Sequence, residues 1–254
     1  MTASTAEKTG PRAAAPAARL WWAAVVPLGI ALVTALALGQ TGYRELSRDF
    51  PGTGTALAST LLHVLAWAAG TLCIGGLFQA AFLRGRPGAL RPPGADPADA
   101  RLVTSSSAAW LAASLVLVAV DGADSNGVPL DRVLDPGALL YLVQASYLPG
   151  AWIVTGLCAA VVLIGFRLAR HWAAGPALLA VALAGVLGPV LVTQVLVGPN
   201  HDFGSDAAVF GVPAEAVFFG VTSVLTYRLL KRSARRSGPR RSRATAASRR
   251  SAGQ

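Results

Sequence analysis

Charged side chains are scarce in this chain of 254 residues, since Asp, Glu, Lys and Arg together make up 13% of it. Soluble domains are about 25% charged, so roughly half of the usual charge is missing. Hydrophobic residues make up 54%, which excludes a disordered chain and argues against an ordinary soluble enzyme. The P-loop, HExxH and GxSxG motifs of soluble catalytic sites are absent as well. We therefore predict that the protein is not an enzyme.

Sulfur-containing residues are also rare. The chain has two cysteines, Cys73 and Cys158, each inside an apolar run, and one methionine, Met1. Cysteines placed in this way indicate neither a disulfide framework nor a CxxC metal site, and one methionine excludes a methionine-rich metal relay. Membrane cysteines are usually small packing residues. Cys73 would otherwise suit only an inner, second station for a soft ion such as copper(I).

Long apolar runs are what the sequence does contain. A membrane-spanning helix needs about 20 apolar residues. Six runs meet this requirement: Leu20–Gly39, Ala56–Leu83, Leu102–Val120, Gly137–Phe166, Trp172–Val197 and Ala207–Tyr227. The first is longer than the apolar part of a signal peptide, so we interpret it as a retained helix. The fourth is long enough to add a short outer helix before its span. The sequence predicts an all-α polytopic membrane protein, a bundle of six transmembrane helices.

The basic residues predict how the bundle is oriented. Cytoplasmic loops are enriched in Lys and Arg. With six spans and both termini in the cytoplasm, 19 of the 22 basic residues fall on the inner side and eight of the twelve acidic residues on the outer side. An odd number of spans would break this alternation. We expect a multi-pass protein of the cell (inner) membrane.

Three segments are predicted along the chain. Residues 1–19 form a disordered cytoplasmic N-terminus, residues 20–230 form the six-helix membrane domain, and residues 231–254 form a disordered basic tail. Ten of the 22 Lys and Arg residues follow Tyr227. We expect this tail to lie against anionic lipid headgroups of the bilayer, and we expect no nucleic-acid partner.

Ionisable groups inside a membrane are functional candidates because they are expensive to bury. Only His63 and Glu215 lie well inside the predicted spans. Each is seven or eight residues from the outer end of its helix, about 10–12 Å deep, so the two could form a pair. Other polar residues, including Asp121 and the outer-loop pair His201 and Asp202, lie above them. The inner half of the spans shows almost no polar side chains. The pattern indicates an outward-facing polar vestibule.

Imidazole and carboxylate ligands suit a divalent transition metal such as copper(II). We therefore predict that His63 and Glu215 form a buried metal station. His63 has a structural alternative, a hydrogen bond to a neighbouring helix, and Glu215 could be protonated and only structural. Both alternatives stay open at the level of sequence.

Several stretches resemble the copper resistance protein D (CopD) family. They are Ala69–Leu77 (AGTLCIGGL), Gly127–Leu140 (GVPLDRVLDPGALL), Ala151–Leu163 (AWIVTGLCAAVVL) and the segment around His201 and Asp202. The likeness covers roughly residues 21–230. It is closest to the CopD-like N-terminal half of actinobacterial proteins that fuse CopD to a CtaG-type oxidase assembly domain.

The resemblance implies copper as the bound ion, taken up or delivered from the extracytoplasmic side, with a periplasmic copper-binding protein or an oxidase assembly factor as partner. It also implies His201 and Asp202 as metal candidates. The helix that follows them lacks the histidine and the tryptophan–glycine–glycine sequence typical of such relatives. Two alternatives stay open. One is a membrane scaffold or partner subunit without metal. The other is a cytochrome b-like haem carrier, which would need a second histidine inside the membrane.

Overall fold

The computed structural model describes residues 47–83, 96–195 and 201–236, together with positions 29–30, 32–34, 37, 39–41 and 43–45. Nothing is described of the side chains at 193–195, 201–206, 231 and 234–236. Described positions between 29 and 45 are helical. Most of the first predicted span, Leu20–Gly39, lies outside the described residues, as do residues 1–19 and 237–254.

Helices make up almost all of the described chain, and it contains no strand. They are α1 (Thr53–Phe78, continued by a π-helical turn, Gln79–Leu83), α2 (Pro97–Ser125), a 3₁₀ helix (Leu130–Leu134), α3 (Pro136–Ala145), α4 (Tyr147–Leu168), α5 (Ala174–Val195) and α6 (His201–Arg236). Five are long and apolar enough to cross a membrane, over Thr53–Leu83, Pro97–Ser125, Tyr147–Leu168, Ala174–Val192 and Ala207–Leu230. The prediction of an all-α, multi-pass membrane protein is confirmed.

The helix ends follow local chemistry. Asp96 caps α2, because its side chain accepts a hydrogen bond from the Ala98 amide at 2.8 Å and a proline occupies the first helical position. Asp135 caps α3 in the same way. α2 consequently begins five residues before the predicted run, and it continues to Ser125 at the other end. The fourth run is divided at Ser146, so the prediction of a short helix before the span is confirmed.

α1 occupies the middle of the bundle and packs against α2, α5 and α6, while α4 packs against α2 and α5. Three glycines of α1 serve three different interfaces. Gly70 faces the Trp110 ring and Val186, Gly76 faces Val103, and a methyl group on Gly75 would collide with the backbone of Gly220 on α6. Lipid provides no hydrophobic drive between helices, so this close backbone approach is what brings α6 against α1.

One end of the bundle is more polar than the sequence predicted. It is the end that the basic residues predict to be cytoplasmic, and we call it the inner end. Asp99, in the first turn of α2, is 1% exposed and forms an ion pair with Arg228 of α6. Both residues were predicted to lie in flanking segments, because the third run begins at Leu102 and the sixth run ends at Tyr227. The expectation of an almost apolar inner half is therefore wrong at this place. α6 also runs on to Arg236, six residues into the predicted tail.

Candidate functional site

A buried carboxylate lies near the opposite end of the bundle, which is the predicted extracytoplasmic end and which we call the outer end. The Asp121 side chain, one turn before the end of α2, is fully buried. It accepts a hydrogen bond from the indole Nε1 of Trp152 at 2.5 Å and another from Ser59 Oγ at 2.9 Å. A carboxylate inside a membrane requires such donors, because its desolvation is otherwise uncompensated. Asp121 is therefore held in one orientation from two neighbouring helices.

His63 lies directly beside this carboxylate. Its Nε2 atom is 3.1 Å from Asp121 Oδ2, and its Nδ1 atom is 2.8 Å from the Ser59 carbonyl oxygen. A carbonyl oxygen only accepts, so Nδ1 carries a hydrogen and donates it. The ring also meets the Trp152 indole edge-on, with centroids 5.2 Å apart. Nε2 is thus the nitrogen directed at Asp121, and the side chain is still 40% exposed.

A second carboxylate continues the polar cluster toward the outer surface. Asp124, three residues after Asp121 and therefore on the same face of α2, accepts a 2.5 Å hydrogen bond from the Tyr43 hydroxyl. Ser59 Oγ is 3.5 Å from its other oxygen. Burial and the neighbouring Asp124 raise the pKa of Tyr43 well above its ordinary value, so this phenol stays protonated. We call His63, Asp121, Ser59, Trp152, Asp124 and Tyr43 the outer polar cluster.

The fold explains why these residues meet. Ser59 and His63 are one turn apart on α1, and each lies near the helix end where α1 begins. α2 runs in the opposite direction, so its last turns bring Asp121 and Asp124 to the same level. α4 begins at that level again, and Trp152 lies in its second turn. Antiparallel packing of neighbouring helices therefore gathers residues as far apart in sequence as Ser59 and Trp152.

Glu215 does not form the expected pair with His63. Its side chain is exposed, and no hydrogen bond or ion pair joins the two residues. The register explains this result. Because Gly220 of α6 packs on Gly75 of α1, Glu215 is level with Gly70, seven residues or about 10 Å further inward than His63. The carboxylate beside His63 is Asp121 instead.

The remaining candidates are placed as follows. His201 and Asp202 begin α6, but their side chains lie outside the described residues, so their role stays a prediction. Cys73 is fully buried and Cys158 is partly buried, both as free thiols. Among the described residues, no group of three or more His, Cys, Asp or Glu side chains is close enough to hold a metal ion.

Asp121 and Trp152 were not among the site residues predicted from the sequence. Asp121 was predicted to end the third span, above His63, whereas α2 continues past it for another turn. A usable signal existed, because Ser107, Ser114 and Asp121 follow one another at intervals of seven residues and so share one face of a helix. All three are fully buried. No comparable signal marked Trp152, whose importance depends on which helix packs beside α2.

Comparison with known proteins finds relatives of this chain in mycobacteria. An uncharacterized protein of Mycobacterium bovis and one of Mycobacterium tuberculosis are each 30% identical over 201 residues, which is 76% of this chain and 30% of theirs. An uncharacterized protein of Mycobacterium leprae is 30% identical over 122 residues, 47% of this chain and 18% of its own. The chain thus spans about a third of the length of the first two. No protein-family model and no solved structure matches it.

Proposed function

We propose that this chain is a CopD-like copper-handling protein of the cell membrane, with six transmembrane helices and both termini in the cytoplasm. It receives copper from the extracytoplasmic side, for uptake or for delivery to oxidase assembly. The observation that carries this proposal is the contact of His63 Nε2 with Oδ2 of the buried Asp121, 3.1 Å apart. The pair lies at the end of the bundle that the distribution of basic residues predicts to face outward, which supports entry of the ion from that side.

The geometry of the pair suits two ligands of one ion. First-row divalent metals hold imidazole nitrogen and carboxylate oxygen at about 2.0–2.2 Å, so two adjacent ligands of one ion are about 3 Å apart. Metal-binding histidines usually donate their other ring N–H to a carbonyl or carboxylate, and His63 Nδ1 donates to the Ser59 carbonyl. Trp152 orients Asp121 in the same way. These contacts support His63 and Asp121 as the ligands of the station.

Two protein ligands favour a cargo ion over a permanently bound one. Structural metal sites usually have four protein ligands and catalytic zinc sites three, whereas His63 has one carboxylate, Asp121, in direct contact. An ion held by so few groups can leave again. Further ligands, if they are used, would come from His201 and Asp202, which the resemblance implies as metal candidates. Glu215 is too far inward to share this station, so any role in binding would be a separate step.

Acidic residues of the outer loops are expected to raise the local concentration of cations at the mouth of the cluster. Partners of this step are proposed to be a periplasmic copper-binding protein or an oxidase assembly factor. On the inner side, the basic tail is proposed to contact anionic headgroups of the bilayer.

A metal-free scaffold or partner subunit is the second candidate. It is favoured by the hydrogen bonds of Asp121, because Trp152, Ser59 and His63 satisfy this carboxylate without any ion. A buried polar network of this kind can serve only to fix how α1, α2 and α4 pack.

Copper binding by detergent-purified protein separates the two candidates. We expect the wild type to retain copper(II) after desalting and to show imidazole nitrogen coupling in its electron paramagnetic resonance spectrum. His63→Ala and Asp121→Asn are expected to lower the affinity at least tenfold, consistent with loss of one of two ligands. His201→Ala tests the residue that the resemblance implies.

His171→Ala is the matched control, since His171 is an exposed histidine of the loop between α4 and α5. It should leave the copper content unchanged. Equal copper content in the wild type and in folded His63→Ala would overturn the station, and a wild type that carries no copper would favour the scaffold.

A further inference from the structure

A long groove runs along the surface of α1 and is walled by α2 and α6. Its volume is about 1620 Å³. Its lining is mostly apolar and includes Leu61, Leu65 and Leu72 of α1, Ala108 of α2 and Phe219 of α6. Leu65 and Phe219 are 49% and 47% exposed, so no described residue closes the groove at these side chains. A groove of a membrane-spanning bundle that no other segment covers is filled by lipid.

Two arginines lie at the inner end of this groove. Arg101 of α2 and Arg167 of α4 both line it, and both are exposed. Arg101 Nε donates to the Pro97 carbonyl, which leaves its terminal nitrogens available. Neither guanidinium forms an ion pair with a described residue. Arg228 at the same end differs, because Asp99 neutralises it. Among the described residues, the inner end of the groove therefore holds two positive charges without a counter-charge.

The dimensions of the groove suit an acyl chain. Gly76 of α1 packs against Leu102 and Val103, so Arg101 lies close to the level of Gly76. From there to Leu61 is 15 residues of helix, about 22 Å. One leaflet of the hydrocarbon core is about 15 Å thick. The groove is therefore longer than one leaflet is thick, so an acyl chain whose headgroup lies at the arginines can fit inside it along the whole length of the acyl chain.

We propose that this groove binds one anionic phospholipid, with its phosphate at Arg101 and Arg167 and an acyl chain along α1. Arginine recognises phosphate through parallel N–H donors, and basic pockets on the cytoplasmic side of helix bundles are typical sites for acidic lipids. A zwitterionic lipid would leave part of the positive charge uncompensated. This site differs from the basic tail and from the outer polar cluster, and it requires no copper.

Native mass spectrometry of the full chain tests the proposal. The protein is reconstituted with equal amounts of phosphatidylglycerol and phosphatidylcholine, then released in detergent, and the retained lipids are counted. We expect one phosphatidylglycerol per wild-type chain and at least a tenfold lower retention by Arg101→Gln/Arg167→Gln. The lysine pair Arg101→Lys/Arg167→Lys keeps the charge and should keep most of the binding.

Arg48→Gln/Arg132→Gln is the matched control, since it removes two exposed arginines outside the groove and should retain the lipid. Ala108→Trp fills the groove without changing charge, and it serves if the arginine variant does not fold. If Arg101→Gln/Arg167→Gln retained as much lipid as the wild type, the proposal would be overturned. The basic tail of this variant is intact, so binding at the tail would then explain the retained lipid. Equal retention of phosphatidylglycerol and phosphatidylcholine by the wild type would overturn it as well. So would a wild type that retains neither lipid, which would indicate that protein covers the groove.

Discussion

The two ends of the bundle bury carboxylates in different ways. At the outer end, Asp121 is surrounded by an indole, a hydroxyl and an imidazole, none of which carries a fixed charge. At the inner end, Asp99 faces the permanent charge of Arg228. A carboxylate held by neutral or titratable donors can exchange one of them for a cation, whereas a carboxylate paired with arginine cannot do so without losing its counter-ion. Asp121 at the outer end is therefore suited to binding a cation, whereas the ion pair of Asp99 and Arg228 at the inner end is suited to holding α2 and α6 together.

Breaking the inner ion pair should have the largest effect on stability. Asp99→Ala leaves the Arg228 guanidinium without its buried partner, and loss of one member of such a pair costs about 3–5 kcal/mol. Thermal unfolding in detergent would measure this change. The double variant Asp99→Ala/Arg228→Met should recover part of the loss, because it removes both charges. A single variant as stable as the wild type would show that the pair does not fasten α6 to α2.

Disturbing the glycine contact between α1 and α6 should have the next largest effect on stability. Gly75→Ala introduces a methyl group into the backbone of Gly220, and overpacking of this kind costs about 1–3 kcal/mol. Gly54→Ala is the matched control, because a methyl group there meets no atom within 4 Å. Unfolding temperatures of the two variants give the comparison. A similar change for both would mean that α6 does not depend on close approach at Gly75.

Removing the indole donor tests whether the outer cluster is a binding site or only a packing device. Trp152→Phe keeps an aromatic ring but removes the indole N–H, so Asp121 has one donor fewer, which costs about 1–3 kcal/mol. If Trp152 positions Asp121 for copper, the affinity should fall and the spectrum should change, because the second ligand is no longer oriented. Trp67→Phe on the exposed side of α1 should alter neither. A loss of stability with unchanged copper affinity would favour the scaffold.

The smallest effect is expected at Tyr43. Its raised pKa means that the folded protein holds the phenolic proton to higher pH than the unfolded chain does. This contribution to stability is present below the ordinary pKa of tyrosine, about 10, and is lost as the pH rises toward the folded value. Tyr43→Phe should remove this dependence, as unfolding measured between pH 8 and 11 would reveal. A wild type and a variant that lose stability in parallel would contradict it.

The amino-acid sequence by itself determined the class of fold. Apolar runs of about 20 residues can only form helices in lipid, because every backbone hydrogen bond must be made within the segment. The Asp–Pro dipeptides at 96–97 and 135–136 likewise set where α2 and α3 begin. His63 was identified as a candidate for the same reason, since an ionisable group in such a run is conspicuous.

Only the tertiary structure decided the partner of His63. Depth along a helix can be counted from sequence, but the rotation and register of two packed helices depend on their contacts. Gly75 against Gly220 shifts Glu215 inward, while the antiparallel pairing of α1 with α2 brings Asp121 to the level of His63. The same packing joined Asp99 to Arg228. Residues far apart in sequence meet through van der Waals fit between helix faces, which no single run of sequence encodes.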